Sequence, residues 1–352
     1  MPHQQRIALI GEIERIRGSR VICYLTSLRP GVPSQIAEDQ VRIFFDHLME
    51  LPVRPTPKLD VFLCSNGGNG TVPWRLVALF REYATSFNVL IPYRAYSAAS
   101  LLALGADEIV MHPFAELGPI DPTVSNEFNP IDPQGRRLGI SVEDVRAYIG
   151  FIKETVGITH EDELIQAVRV LAEKVHPLAL GNVERFVMQS RMIATKILKT
   201  HMREDTADHK ISQIVETMAS KLYFHGHPIN RSEARNDLRL KVAESVDSGL
   251  EKAMWDLYVD FENDFRNQDQ FNPHSSLVNA PLTPSGTREH QEVMLHAVIE
   301  SICRSSTYRT TRRYTLLPTP PGQVAIQEDP LTQGWNHSLV PSPAPANPPS
   351  TT

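Results

Sequence analysis

Along the first third of the chain, hydrophobic and polar positions alternate between two kinds of segment. Short apolar, β-rich runs occur at Arg20 to Ser27, Leu59 to Cys64, Asn88 to Tyr93 and Glu108 to Met111. Between them the apolar positions fall at helical spacing: Val41, Phe44, Phe45 and Leu48, then Leu76, Leu79, Phe80 and Tyr83. Buried strands alternating with amphipathic helices predict an α/β fold built on a largely parallel sheet.

The pattern changes at Ser141. Ser141 and Asp144 stand at capping-box spacing ahead of the apolar stripe Val145, Tyr148, Ile149 and Ile152. Thr159 and Asp162 repeat that spacing before Leu164, Val168 and Leu171, and helical segments continue to about Phe265. Residues 1–270 therefore read as one α/β domain that is helix-rich from about 141. Residues 271–317 read as a linker with one helix around His290 to Cys303. Pro318 to Thr352 carries about a third of the prolines and reads as a disordered tail.

Composition narrows the classes. With 352 residues, 41% hydrophobic, the chain can bury a large core. A net charge of −6 gives no basic excess for nucleic acid or an anionic membrane. Cys23, Cys64 and Cys303 form neither a disulfide framework nor a zinc spacing. Glu12, Glu14 and Arg15 interrupt the apolar positions near the N-terminus, and no uncharged run reaches the roughly 18 residues of a membrane span. The expectation is a soluble, cytoplasmic protein.

Three features carry candidate chemistry. The turn Ser65-Asn66-Gly67-Gly68-Asn69-Gly70 directly follows a buried strand. A glycine pair there lets backbone N–H groups approach a ligand and build an oxyanion hole; it is also what any tight strand-to-helix turn needs. No Gly-Lys-Ser/Thr follows, so it is not a phosphate loop. Ser97 opens a helix of small apolar residues, where the helix dipole favours an alkoxide, although serine at that place also serves as a plain cap. Lys153 sits one position past Ile152 at the edge of an apolar face, the usual place of a lysine that snorkels. His112, with no carboxylate placed to orient it, reads as structural, and His209, His225 and His227 lack a metal-ligand spacing. No cofactor or metal is expected.

Taken together, these segments resemble a known superfamily. A strand, a Ser-x-Gly-Gly turn, a helix, a strand, then Ser97 at the head of an Ala-rich helix ending in Ala106-Asp107-Glu108-Ile109 is similar to the Clp-protease/crotonase superfamily. The likeness is greatest to its signal-peptide-peptidase-A and serine dehydrogenase proteinase members and spans about residues 7 to 245. It implies a Clp-protease/crotonase-like fold of repeated β-β-α units. In those peptidases the nucleophilic serine stands about ten positions before the Asp of Ala-Asp-x-Ile, which selects Ser97 over Ser100. Ala115 to Asp121 resembles the family's groove-lining stretch. Tyr148, Phe151, Ile152 and Lys153 match the segment that carries the general-base lysine in membrane-bound stomatin-protease relatives. Asn66 replaces the usual proline, and Ala98-Ala99 the usual glycine pair.

The resemblance implies a serine peptidase. Ser97 would attack and Lys153, desolvated by Ile149, Phe151 and Ile152, would act as base. The N–H groups of Gly67, Gly68 and Ala98 would form the oxyanion hole. It also implies peptide substrates and a homo-oligomer. A crotonase-type acyl-CoA hydratase or hydrolase, and an inactive oligomeric scaffold, are the alternatives that the same fold supports.

Overall fold

A computed structural model describes residues 2–121, 123–124, 127–132, 137–203, 207–221, 226–244, 247–284, 286–317 and 325–340. Helix α1 (Pro2–Arg17) leads into β1 (Arg20–Thr26), and α2 (Gln40–Met49), β2 (Thr56–Cys64), α3 (Val72–Tyr83) and β3 (Ala84–Ile91) follow. Next come β4 (Arg94–Ala95), α4 (Ala98–Ala103), β5 (Glu108–Met111), β6 (Glu116–Leu117), β7 (Thr123–Val124) and β8 (Ile140–Ser141). The helical half comprises α5 (Val142–Gly150) with a π-helical turn at Phe151–Thr155, α6 (Glu161–Lys174), α7 (Pro177–Leu198) and α8 (Ala207–Glu216), which runs into a second π turn. β9 (Ile229–Asn230), α9 (Arg231–Asn236), α10 (Ser248–Phe265) and α11 (Pro273–Val278) precede three long strands, β10 (Arg288–Glu300), β11 (Arg304–Leu317) and β12 (Ala325–Leu339).

The main sheet has seven strands in the order β12-β11-β10-β1-β2-β3-β5. β1, β2, β3 and β5 are parallel, and β10 joins β1 antiparallel, with Cys23 opposite Glu300. This is the mixed α/β class that the strand and helix alternation predicts. The parallel strands are apolar at nearly every position because both faces are covered. Ile22 and Tyr24 of β1, with Val61 and Leu63 of β2, pack into a core with Phe44, Phe80 and residues of α4, α7 and α8. Val21, Cys23 and Leu25, with Phe62 and Cys64, face the other way, onto α1 and α10 through Ile10, Ile13, Leu257 and Phe261. The two faces follow from the period of two along a strand.

Buried ion pairs fasten the outer layer. The Arg6 guanidinium, 1% exposed, donates to both Glu300 carboxylate oxygens at 2.7 and 2.9 Å and to Asp260 at 2.7 Å, and lies over the Phe261 ring. It ties α1, α10 and β10 together. Asp60, buried in β2, accepts from Arg17, Ser19 and Asn88. Charges out of water hold only where their hydrogen bonds are met in this way.

Two expectations for the C-terminal part are corrected. The segment His290 to Cys303, expected as a helix, is strand β10 followed by a turn. Its apolar run Val293-Met294-Leu295, then Ala297-Val298-Ile299, satisfies both periods, and the free edge of β1 decides for the strand. Ala325–Leu339, expected as part of a disordered tail, is β12, paired along its length with β11. Its side chains are mostly exposed, so composition carries little trace of a strand held by its backbone ladder. Trp335 nonetheless packs on the core and donates to Asp39. The remainder of that tail, 318–324 and 341–352, lies outside the described residues.

The joint between α2 and the added strands responds to pH. His47 is fully buried and hydrogen-bonds with Ser301 Oγ and Ser306 Oγ. Burial pushes its pKa down to about 3, with Arg304, His3 and His337 adding repulsion. The folded protein thus keeps His47 neutral while the unfolded chain takes up a proton below about 6.5. Stability is full above that value and falls as pH drops toward 3, by up to about 1.4 kcal/mol per pH unit. Denaturant unfolding at pH 7, 6, 5 and 4 should show that His47→Gln loses less stability across this window than the wild type.

Candidate active site

The site begins where β2 ends. Ser65 donates its N–H to Arg94 O and accepts from Tyr96 N–H, both at 2.9 Å, so the chain after β2 is bridged to β4. Its hydroxyl is 2.7 Å from Thr26 Oγ1 and accepts the Gly67 N–H at 3.0 Å. Gly67 and Gly68 have φ of +99° and +148°. A Cβ on Gly67 would stand 2.6 Å from Tyr96 O and 2.8 Å from Ser97 Cβ. A Cβ on Gly68 would stand 2.5 Å from both Ile36 N and O. Only glycine fits at either place.

Ser97 lies directly against this turn. Its φ of 52° and ψ of −114° fall outside the ordinary regions, a conformation worth about 1–3 kcal/mol of strain. That sharp bend between β4 and α4 presents the half-buried Ser97 side chain at the head of the helix. No described residue hydrogen-bonds its hydroxyl. Ser100, one turn along, is fully buried and donates toward Ala95 O at 2.7 Å and Gly118 O at 2.8 Å. Its hydroxyl is spent on structure.

Of the three expected oxyanion donors, Gly67 gives its N–H to Ser65 Oγ. The N–H groups of Gly68 and of Ala98, the first residue of α4, have no partner among the described residues. Gly68 and Ser97 open on a cleft of about 350 Å³, completed by Asn69, Ile120 and, from α7, Phe186, Gln189 and Ile193. The α7 wall was not among the sequence candidates. Its amphipathic stripe marks a packed helix, and nothing in the pattern says which strand end it packs over.

Lys153 lies elsewhere. It is exposed on the π turn after α5, a helix that packs against α7, and does not line the cleft. Phe151 is exposed, and Ile149 and Ile152 are half-buried, so the apolar cover expected over the amine is incomplete. His112 stacks on Trp255 at 5.1 Å between ring centres and accepts the Phe114 N–H, as a structural histidine does. His227 contacts Glu233 and His209 is exposed, while His225 lies outside the described residues. The described residues hold no cluster of metal-ligating side chains. No helix among them is long and apolar enough to cross a membrane.

Residues 37–131 match the sequence model of the ClpP-like SDH-type serine proteinases. The chain resembles this serine proteinase family. The matched segment holds Gly67, Gly68, Ser97 and Ala98 and stops short of Lys153. Two uncharacterized proteins of Methanocaldococcus jannaschii are similar to it as well. MJ1495 is 25% identical over 254 residues, which are 69% of this chain and 73% of that protein. MJ0137 is 23% identical over 200 residues, 55% of this chain and 59% of that protein. Two solved structures of alanine mutants of the 1510-N membrane-bound stomatin-specific protease, one in complex with a substrate peptide, each share 13% identity and cover 65% of this chain. Their TM-scores are 0.35 and 0.38, with 82% and 77% of those chains covered.

The glycine turn gives a local test. Gly67→Ala should destabilise the protein by about 1–3 kcal/mol, from backbone strain and the clash with Tyr96 and Ser97. Gly70→Ala, where nothing lies within 4 Å of the new Cβ, should stay close to wild type in the same urea titration.

Proposed function

We propose that the chain is a serine peptidase in which Ser97 is the nucleophile and Lys153 the general base. The observation that carries this reading is the uncommitted Ser97 hydroxyl on a strained turn, with the unpartnered Gly68 and Ala98 N–H groups beside it. Donors already fixed by the fold stabilise a developing oxyanion without reorganising. In this mechanism Ser97 Oγ attacks the peptide carbonyl and its proton passes to the neutral Lys153 amine. The C–N bond breaks as that proton moves to the leaving amine, and water releases the acyl group by the same route. The reaction uses no cofactor.

Among the described residues nothing ionisable lines the cleft, so in this reading the base arrives from outside those walls. We assign that part to α5 and its π turn, which ride on α7, the wall of the cleft. A peptide seated between the Gly68 turn and α7 would draw Lys153 over Ser97 and strip water from the amine. Desolvation of this kind moves a lysine from about 10.4 toward neutrality. The proposed substrates are extended peptides, and the proposed setting is a homo-oligomer in the cytoplasm.

Ser97→Ala should abolish peptide hydrolysis and leave the melting temperature within a degree or two. Ser100→Ala should lower the melting temperature, because it strips a partner from Gly118 and Ala95. Lys153→Met and Lys153→Arg should both lose activity by roughly 100-fold or more, since neither side chain releases a proton near neutral pH. Hydrolysis by Lys153→Arg at an appreciable rate would remove Lys153 from the mechanism while leaving Ser97 in place.

A further inference from the structure

A second cavity, of about 450 Å³, lies at the other end of α4. Ser97 heads this short helix and Leu104 closes it, so roughly 10 Å of helix separates the two openings. The cavity's apolar part is formed by Leu104, Ile109, Leu198 and Ile214, with Leu240 and Val242 from the segment that bridges to β5. Its polar part is cationic: Lys210, Arg235, Arg239 and Lys241.

None of these four cations is ion-paired among the described residues, whereas Asp107 and Asp208 nearby are held by Arg81 and Lys199. Asp107, also on the wall, is held by Arg81 at 2.6 Å and by the Phe87 N–H. His201 hydrogen-bonds with Leu104 O. Arg235 donates one terminal nitrogen to Ala243 O and leaves its buried Nε without a partner. Glu244 is the one carboxylate on the wall not engaged by a described cation. Lys210 and Arg235 are half-buried and Arg239 and Lys241 exposed at the mouth, so the four gather positive potential over an apolar recess, which favours an anion there. An apolar floor with convergent polar groups on one side suits a small molecule that has both an apolar body and a charged end.

We propose that this cavity binds an amphipathic organic anion, a carboxylate carried on an aliphatic body. The aliphatic part packs against Leu104, Leu198 and Ile214, and the carboxylate meets Lys210, Arg235 and Lys241. Two sources share this chemistry: a free fatty acid, and the C-terminal carboxylate of an apolar peptide. The site is separate from the Ser97 cleft and does not depend on peptidase activity.

Isothermal titration calorimetry on the full chain tests the proposal with octanoate, octanol and acetate. Octanoate should bind at least tenfold more tightly than either of the others. Lys210→Gln combined with Lys241→Gln, both outside the core, should weaken octanoate at least tenfold. Ala207→Trp should fill the cavity and abolish binding, with the melting temperature recorded for each variant. Ser97→Ala should bind octanoate like wild type. The acid and amide forms of acetyl-trileucine separate the two sources: the acid binding more tightly than octanoate assigns a peptide terminus, and the reverse assigns a fatty acid. Equal affinity for octanoate and octanol, no heat with octanoate, or undiminished binding by the double lysine variant would each overturn the proposal. If Ala207→Trp melts early, the double lysine variant alone decides.

Discussion

The constraint on which the site depends is the contact between two pieces of backbone, Gly67 against Tyr96-Ser97-Ala98. A Cβ on Gly67 would come within 3.0 Å of three atoms there, so the glycine turn and the head of α4 are effectively in van der Waals contact. Ser65 enforces that approach. Its backbone pairs with Arg94 and Tyr96, and its hydroxyl holds both Thr26 and the Gly67 N–H. With the Gly67 N–H spent on Ser65, the Gly68 and Ala98 N–H groups are the ones left without a partner among the described residues. The strain at Ser97 is sustained by the same joint, because relaxing φ there would require β4 or α4 to part from the turn.

This joint is rigid because of what stands behind it. Both faces of β1, β2 and β3 are covered, and α4 itself is wholly buried, from Ala98 to Ala103. Small side chains let α4 sit close against α3, with Gly105 beneath Val77. The outer layer is fixed differently, by Arg6 binding Glu300, Asp260 and Asp264 at once. Removing one partner from such a buried cluster leaves unpaired charge, which costs about 3–5 kcal/mol, so α1, α10 and β10 hold together as a unit. A well-packed sheet end and a strained serine are complementary: the packing carries the strain.

The helical half has a different character. α6 buries none of its residues, and Ile165, Val168 and Val170 are exposed on it. Its neighbour α7 is anchored through Val183, Val187, Ile193 and Ile197 while presenting Phe186 and Gln189 to the cleft. The molecule thus combines a firmly held Ser97, the proposed nucleophile, with a lightly packed α6 and a π turn, without buried residues, that bears the proposed base. Elements with few buried contacts are the ones that move at low cost.

The strands Arg20 to Ser27, Leu59 to Cys64 and Glu108 to Met111 were legible in the sequence because each is an apolar run bounded by turn residues. So were the glycine turn and the serine at the head of a small-residue helix, since those residue types are fixed by local geometry. Periodicity could not say that 290–303 would be strand, because a short apolar run satisfies both periods until a sheet edge offers it partners. Nor could composition reveal β12, whose exposed polar side chains leave its hydrogen-bonded ladder unrecorded. The sequence by itself determined the α/β class, the Gly67-Gly68 turn and the candidacy of Ser97. Only the tertiary structure decided that Ser100 is consumed by Ala95 and Gly118, that Gly68 rather than Gly67 has a free N–H, that α7 walls the cleft and that Lys153 is exposed. The physical reason is that turn and helix preferences are local, whereas which hydrogen bonds are already taken, and which surfaces are covered, depends on residues far apart in the chain.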